Sequence, residues 1–308
     1  MTSRAAIVAA AQRISSHVRH TPVIRIGAGD LGVAAPVALK LELLQHSGSF
    51  KPRGAFNRLL CAPAPAAGVI AASGGNHGAA VAYAARALGL RAEIFVPAAA
   101  PAAKVARIAG YGAELVRVGA NFAEAYAAAQ ARRRETGALD IHPYDDPDVI
   151  AGQGTVGREF EADAPELTHV LVATGGGGLI GGMAAWYAGA AEIVSVEPER
   201  CPTLHAALQA GRPVPVAVGG MAADSLGATQ VGGLMFEIAQ RHVARAVLVS
   251  DDAIAGARRL LWERLRLLAE PGGATALAAL LSGAFVPPPG ARVGVLICGG
   301  NSNPSEMA

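Results

Sequence analysis

The stretch "HVLVATGGGGLIGGMAAW" (His169–Trp186) decides the fold. An apolar, β-branched run is followed by four consecutive glycines and then by small residues. That order reads as a strand, a tight loop and the start of a helix. No charged residue occurs from Val170 to Ala191, a length sufficient to cross a bilayer. The glycines and the scarcity of bulky apolar side chains favour strand, loop and helix instead, and no membrane association is expected.

The same alternation extends in both directions. "PVALKLEL", "GVIAAS", "RAEIFVP", "AELVRVG", "EIVSVE" and "RVGVLICGG" read as further strands. Ala-rich amphipathic stretches between them (Asn76–Leu88, Ala123–Arg134 and Asp251–Leu268) read as helices. The expected class is α/β, with open, mostly parallel twisted sheets flanked by helices. "AGRPVPVAVGG" and "FVPPPGARV" read as loops. Ligands of such sheets lie beyond the carboxyl ends of the strands. Three strands here end in small-residue loops, "GGNHG", "GGGGLIGG" and "GGNSN", which suggests one shared pocket.

Composition narrows the function classes. Of 308 residues, 52% are hydrophobic and only 16% charged, so a large core can be buried. A net charge of +2 gives no field for nucleic acid, and Arg132–Arg134 reads as the polar end of a helix. Cys61, Cys201 and Cys298 are odd in number and far apart, without metal or disulfide spacing. A reducing, cytoplasmic setting fits. The N-terminal stretch carries Arg4, Arg13 and Arg19 and lacks the apolar core of a signal peptide.

The loops can be read for chemistry. "TGGGGLIGGMAAW" opens a helix after a strand, where backbone N–H groups bind anions and glycine permits close approach. It is no Walker loop, because no Gly-Lys-Ser/Thr follows. It matches Gly-x-Gly-x-x-Gly at Gly176, Gly178 and Gly181, with Glu197 near the spacing of a ribose-binding acid. A dinucleotide-binding oxidoreductase is therefore a rival reading. "SGGNHG" (Ser73–Gly78) also starts a helix. Ser73 and Asn76 suit capping, while the loop also suits a carboxylate, and His77 is a candidate base. "LICGGN" (Leu296–Asn301) places a cysteine at a strand end.

Only three of the 26 basic residues are lysines: Lys40, Lys51 and Lys104. Lys51 lies in "SGSFKPRGA" (Ser47–Ala55), among small and apolar neighbours rather than on a charged face. A desolvated lysine loses its proton more readily and becomes a nucleophile that can form a Schiff base. A lysine amine with a phosphate loop is the minimum set for pyridoxal 5'-phosphate. A dinucleotide leaves Lys51 and the other two loops unexplained.

Taken together, "SGSFKPRGA", "SGGNHG", "GGGGL" and "CGGN" resemble the fold-type II pyridoxal-phosphate enzymes, in particular the serine/threonine dehydratase and serine racemase group. The likeness extends from "HTPVIRI" (His20–Ile26) to "CGGN". It implies a tryptophan synthase β-like fold, with residues 1–65 plus 146–308 as a large cofactor domain and 66–145 as a small one. It implies that Lys51 forms the Schiff base and takes the Cα proton, and that Phe50 lies against the ring. Asn76 would contact the ring hydroxyl, and Gly175, Gly176, Gly177, Gly178 and Leu179 the phosphate. Cys298 would face the pyridine nitrogen. Ser73, Gly74, Asn76 and His77 would hold the substrate carboxylate.

A thiol is a weak, neutral partner for that nitrogen, so a long-lived carbanion is disfavoured and β-elimination suits the site. The implied activity is dehydration and deamination of a 3-hydroxy amino acid, such as L-threonine or L-serine, to a 2-oxo acid and ammonia. A racemase or a β-replacement enzyme of the same fold is an alternative, and so is a non-catalytic binding protein. Two departures from the family pattern matter. Serine racemases carry a second serine where this chain has Gly74, which has no proton to give. Relatives that bind a divalent metal place acidic groups after "EP", whereas "VEPERCPTL" offers Cys201 and Thr203 there, so no metal is expected. Glu270, in "AEPGGATA", matches a position near the cofactor with its role left open. The chain ends soon after "CGGN", so the C-terminal regulatory domain of biosynthetic threonine dehydratases is not expected. A homo-oligomer, a dimer as in relatives, is expected.

Overall fold

A computed structural model describes residues 2–307 apart from 62, 64 and 101. Among these residues, ten strands form two sheets. They are β1 (Val23–Ile26), β2 (Val37–Lys40), β3 (Val69–Ala72), β4 (Ala92–Val96), β5 (Glu114–Arg117), β6 (Leu139–Asp140), β7 (His169–Ala173), β8 (Glu192–Pro198), β9 (Val243–Val249) and β10 (Val293–Leu296). The six-stranded sheet runs β1-β2-β10-β7-β8-β9, and the four-stranded sheet runs β5-β4-β3-β6. Every pairing is parallel except that of β1 with β2 at one edge. Helices cover the sheets, so central strands read as continuous apolar runs: Val170, Leu171 and Val172 are fully buried. The fold is the tryptophan synthase β-like α/β class that the loops implied.

Three strands escaped the sequence reading. β1 and β9 are edge strands, less covered and weakly patterned. β9 follows the helix Gly233–His242 with no turn residue between them. β6 has only two residues. The helix expected over Asp251–Leu268 ends at Leu265. Arg266 stops it with φ 56°, a left-handed conformation normally reserved for glycine, so composition gave no warning. Among the described residues, no helix is long and apolar enough to cross a membrane.

Two devices place the helix Lys51–Leu60 against the rest. The first is close backbone contact through glycines. A Cβ on Gly152 would lie 2.5 Å from the Arg53 carbonyl, and one on Gly182 would lie 2.4 Å from that of Ile150. The helices Lys51–Leu60, Pro147–Asp163 and Gly178–Tyr187 thus pack nearly backbone to backbone. The second is a buried ion network. Arg53, 1% exposed, bonds Glu42 at 2.7 and 2.8 Å and Glu159 at 3.0 Å. The ammonium of Lys40 lies 2.7 Å from both Glu159 and Asp163. His20 completes a cluster with these two carboxylates, but Lys40 already supplies the cation there.

Removing one member of such a network leaves charge buried without compensation. Arg53→Ala is expected to lower unfolding free energy by about 3–5 kcal/mol. Urea unfolding monitored by circular dichroism checks this. A loss below about 1 kcal/mol, the level of an exposed ion pair, would show that the network contributes little.

Candidate active site

The carboxyl ends of β3, β7 and β10 open onto one slot and an adjoining cleft. The slot is narrow and is lined by Phe50, Lys51, Asn76, Gly175–Ile180, Glu270 and Cys298, among others. The cleft is wider and opens to solvent; Lys51, Asn76, Tyr144 and Gly176 border both. The structure therefore brings the lysine and the three loops together.

Lys51 begins its helix, with Pro52 directly after it in a position where a missing N–H costs nothing. Its residue keeps some contact with the cleft, but its amine is enclosed by protein. Nζ donates to the Pro143 carbonyl at 2.8 Å and lies 5.2 Å from the centroid of the Phe50 ring. Burial brings the amine down to about 8, although Cys298 and Glu270 oppose the shift. Phe50 is tied to the last strand's loop, its N–H donating to the Cys298 carbonyl at 3.2 Å.

The glycine loop is left unsatisfied by the protein. Gly177 has φ 92°, and the helix Gly178–Tyr187 has no side-chain cap. Among the described residues, the N–H groups of Gly175, Gly176, Gly177, Gly178 and Leu179 donate to no protein acceptor. The carbonyls on the loop's other side are occupied: Gly175 accepts from Thr203 Oγ1 at 2.6 Å and Gly176 from Gly232 N–H at 3.0 Å. Tyr144 closes over the loop so tightly that a Cβ on Gly176 would fall 2.2 Å from its ring. Unpaired N–H groups, a helix start and no side chain in the way make a cradle for a phosphate.

The "SGGNHG" loop behaves differently from a capping box. Ser73 Oγ accepts from Gly75 N–H at 3.2 Å, and the helix Asn76–Ala87 has no side-chain cap. The N–H groups of Gly74, Asn76 and His77 find no protein acceptor among the described residues. Asn76 turns its amide the other way, donating to Glu270 at 2.5 Å and accepting from Asn301 at 2.7 Å. This fixes which end of the amide faces which neighbour. The suggestion that His77 is a base fails. Its Nε2 lies 2.7 Å from the Ile141 carbonyl, which only accepts, so Nε2 carries the hydrogen. Burial holds the ring down at about 3, so it stays neutral.

Cys298 is buried, and its Sγ donates to the Gly272 carbonyl at 3.4 Å. Burial pushes its thiol further up, so it remains neutral. Glu270 is 6% exposed, and burial raises its carboxyl to about 7 against the Asn76 hydrogen bond. Pro143, Tyr144 and Asn301 also shape the site, and the sequence reading did not single them out. Their positions depend on chain crossings far from the motifs; the pairing of Asp-rich "HPYDD" with the start of the helix Gly233–His242, through Gly233 and Leu234 N–H on Asp145, is one example.

The dinucleotide reading loses its acid. Glu197 is fully buried and accepts from Leu204 N–H at 2.7 Å, His205 N–H at 2.7 Å and Thr203 Oγ1 at 3.0 Å. It caps the helix Thr203–Ala210 and is out of a ribose's reach. Residues 14–299 match the family described as pyridoxal-phosphate dependent enzyme. The chain belongs to that family. An enclosed lysine amine, an unsatisfied glycine cradle and a neutral thiol fit pyridoxal phosphate on their own chemistry.

The chain is 42% identical over 294 residues to the L-threonine ammonia-lyase of Geobacter sulfurreducens, covering 94% of this chain and 73% of the relative. It is 38% identical over 308 residues to the phenylserine dehydratase of Ralstonia pickettii, covering 98% and 94%. Maize serine racemase superposes with a TM-score of 0.94 at 32% identity, covering 99% of this chain and 95% of that one.

Because only the free amine attacks an aldehyde, capture of pyridoxal phosphate by the apoenzyme should speed up with rising pH and level off above about 8. Stopped-flow absorbance at a series of pH values reads this. A rate still rising steeply through pH 10 would mean that Lys51 keeps an ordinary lysine's affinity for its proton.

Proposed function

We propose that this chain is a dehydratase that converts a 3-hydroxy amino acid of the threonine and serine type to a 2-oxo acid and ammonia. The observation that carries the reading is the enclosed Lys51 amine, set between the glycine cradle and the unsatisfied N–H groups of the Asn76 loop. The similarity to the L-threonine ammonia-lyase supports the reaction class. Pyridoxal phosphate, when bound, withdraws electrons from Cα and makes its proton removable.

The residues present divide the work. Lys51 would hold the cofactor through its amine and would serve as the base for the substrate's Cα proton. The N–H groups of Gly175–Leu179 would hold the phosphate, and Phe50, lining the slot, would face the ring. Asn76, its amide held by Glu270 and Asn301, would have its second amide N–H left for the ring hydroxyl. Cys298, a neutral thiol lining the slot, would be the partner of the ring nitrogen, which would favour expelling the 3-hydroxyl over holding charge at Cα. Gly74, Asn76 and His77 offer N–H groups to the substrate carboxylate, beside Ser73. The Cα–H and Cβ–O bonds break, water leaves, and the released enamine takes up water to give the 2-oxo acid and ammonium.

The likeness to maize serine racemase favours a second reading, racemisation. That reaction needs a proton donor on the face opposite Lys51, and Gly74 supplies none. A Cβ there would meet nothing closer than Ala100 at 3.7 Å, so a serine would fit but is absent. The same proposal includes a large domain of residues 1–65 plus 146–308 and a small one of 66–145. Its support is that the four-stranded sheet lies within 69–140. It also includes a homodimer, from the family likeness, and a cytoplasmic setting, from three free cysteines.

Lys51→Ala should lower 2-oxo acid release from L-threonine by about 10³-fold or more, and Lys51→Arg should not restore it. Coupled reduction of the 2-oxo acid measures both. Near-wild-type turnover by either variant would remove Lys51 from the chemistry. Chiral chromatography of L-serine reactions should show no D-serine from the native chain and a detectable amount from Gly74→Ser. D-serine formed as fast as pyruvate by the native chain would favour the racemase.

A further inference from the structure

Glu270 is the one carboxylic acid among the described residues lining the slot, as Lys51 is the one basic side chain. It stands directly before the helix Pro271–Leu281, where a polar side chain ordinarily caps the first turn and an acid gains from the helix dipole. Glu270 makes no such cap. The Gly272 N–H is taken instead by Ser225 Oγ at 3.1 Å, 47 residues earlier in the chain. The Glu270 carboxyl turns to the Asn76 amide. Gly299 leaves room for it, since a Cβ there would fall 1.9 Å from Oε1. One residue takes over the capping and another clears the space, and a buried acid is thereby held at the slot.

A chain of hydrogen bonds ties this acid to the segment that carries Lys51. Asn301 Nδ2 donates to the Ser47 carbonyl at 2.9 Å and to Asn76 Oδ1 at 2.7 Å. Asn76 Nδ2 donates to Glu270 Oε1 at 2.5 Å. With its oxygen and one N–H committed, Asn76 keeps one N–H for the slot. The charged and titratable groups that act on the Glu270 carboxyl are Lys51, the Cys298 thiol, Lys104, Arg107 and Arg258. Lys104 is paired with Asp224 and Arg258 with Glu306, so neither neutralises Glu270 by direct contact. Burial brings the carboxyl up to about 7 and the Lys51 amine down to about 8, so the acid is already charged where the amine loses its proton.

Two demands on Lys51 conflict. Capture of an aldehyde needs the free amine, whereas removal of a Cα proton needs an amine that then holds the proton. Burial serves the first demand. We propose that Glu270 is a positioning residue that serves the second: it orients Asn76 through their hydrogen bond and supplies the negative charge that favours a proton on Lys51. The inference rests on the reading of Lys51 as the cofactor lysine and adds to it the group that tunes that lysine.

Glu270→Gln removes the charge and leaves an oxygen for the Asn76 N–H, whereas Glu270→Ala removes both. Stopped-flow capture of pyridoxal phosphate by either variant should level off about one pH unit lower than in the native chain, because the charge that favours the protonated amine is gone. Equilibrium titration followed by absorbance should find the cofactor bound about tenfold more weakly by Glu270→Ala than by Glu270→Gln, since only the former frees Asn76. An unmoved capture profile overturns the role of the charge, and equal affinities overturn the orienting of Asn76. Urea unfolding at pH 8 tests a purely structural role. Ionising a buried acid whose hold on its proton is raised weakens the fold, so Glu270→Gln should unfold at the same or a higher urea concentration than the native chain. A lower midpoint would make Glu270 a structural group and overturn the proposal. Capture that persists in Lys51→Ala overturns instead the reading of Lys51, whatever the Glu270 variants do.

Discussion

Two helices in this chain begin without a side-chain cap and aim their free N–H groups at one place. They are Gly178–Tyr187 and Asn76–Ala87. Four other helices are capped in the ordinary way: Ser3, Asn121, Asp146 and Ser250 each accept from the first turn. Unsatisfied donors at a helix start carry partial positive charge and are costly to bury. In the function proposed above they would receive anions brought from outside, a phosphate at one helix and a carboxylate at the other. The rest of the site is arranged around that choice.

Holding such donors beside an enclosed amine requires rigid neighbours. The glycine contacts between helices fix the separation of Lys51 from the phosphate loop to within backbone packing. The Arg53 network fixes the same helix from its far side. The amine that results is enclosed without an acidic partner in hydrogen-bond contact, and burial lowers its hold on a proton. Across the cofactor slot, Cys298 stays neutral for the same reason. A weak electron sink and a single mobile proton on Lys51 are the conditions under which elimination outruns racemisation. Gly74, opposite, adds nothing that would change the balance.

Much of this could be read in the sequence, because the decisive residues sit in short, local motifs. A strand running into glycines is legible without a structure, and so is a scarce lysine among small residues. Ser73 was less legible: a serine before a helix reads as a cap, yet its hydroxyl serves Gly75 and leaves the helix open. Glu197 stood at the spacing of a ribose acid and proves to be a buried cap for another helix. His77 read as a base until its ring met a carbonyl. Tyr144 and Asn301 reach the site through tertiary contacts that no spacing encodes. Edge strands β1 and β9 were hidden because half-covered edges carry little pattern.

The central claim is that Lys51, and no other lysine, holds the cofactor. The chain offers only two rivals. Lys40 is buried beneath Glu159 and Asp163, and Lys104 is paired with Asp224. Borohydride reduction of the purified holoenzyme, followed by peptide mass mapping, distinguishes all three. A pyridoxyl group on the peptide containing Lys51 alone is the result this account predicts. A label on Lys40 or Lys104, or no label at all, would contradict it.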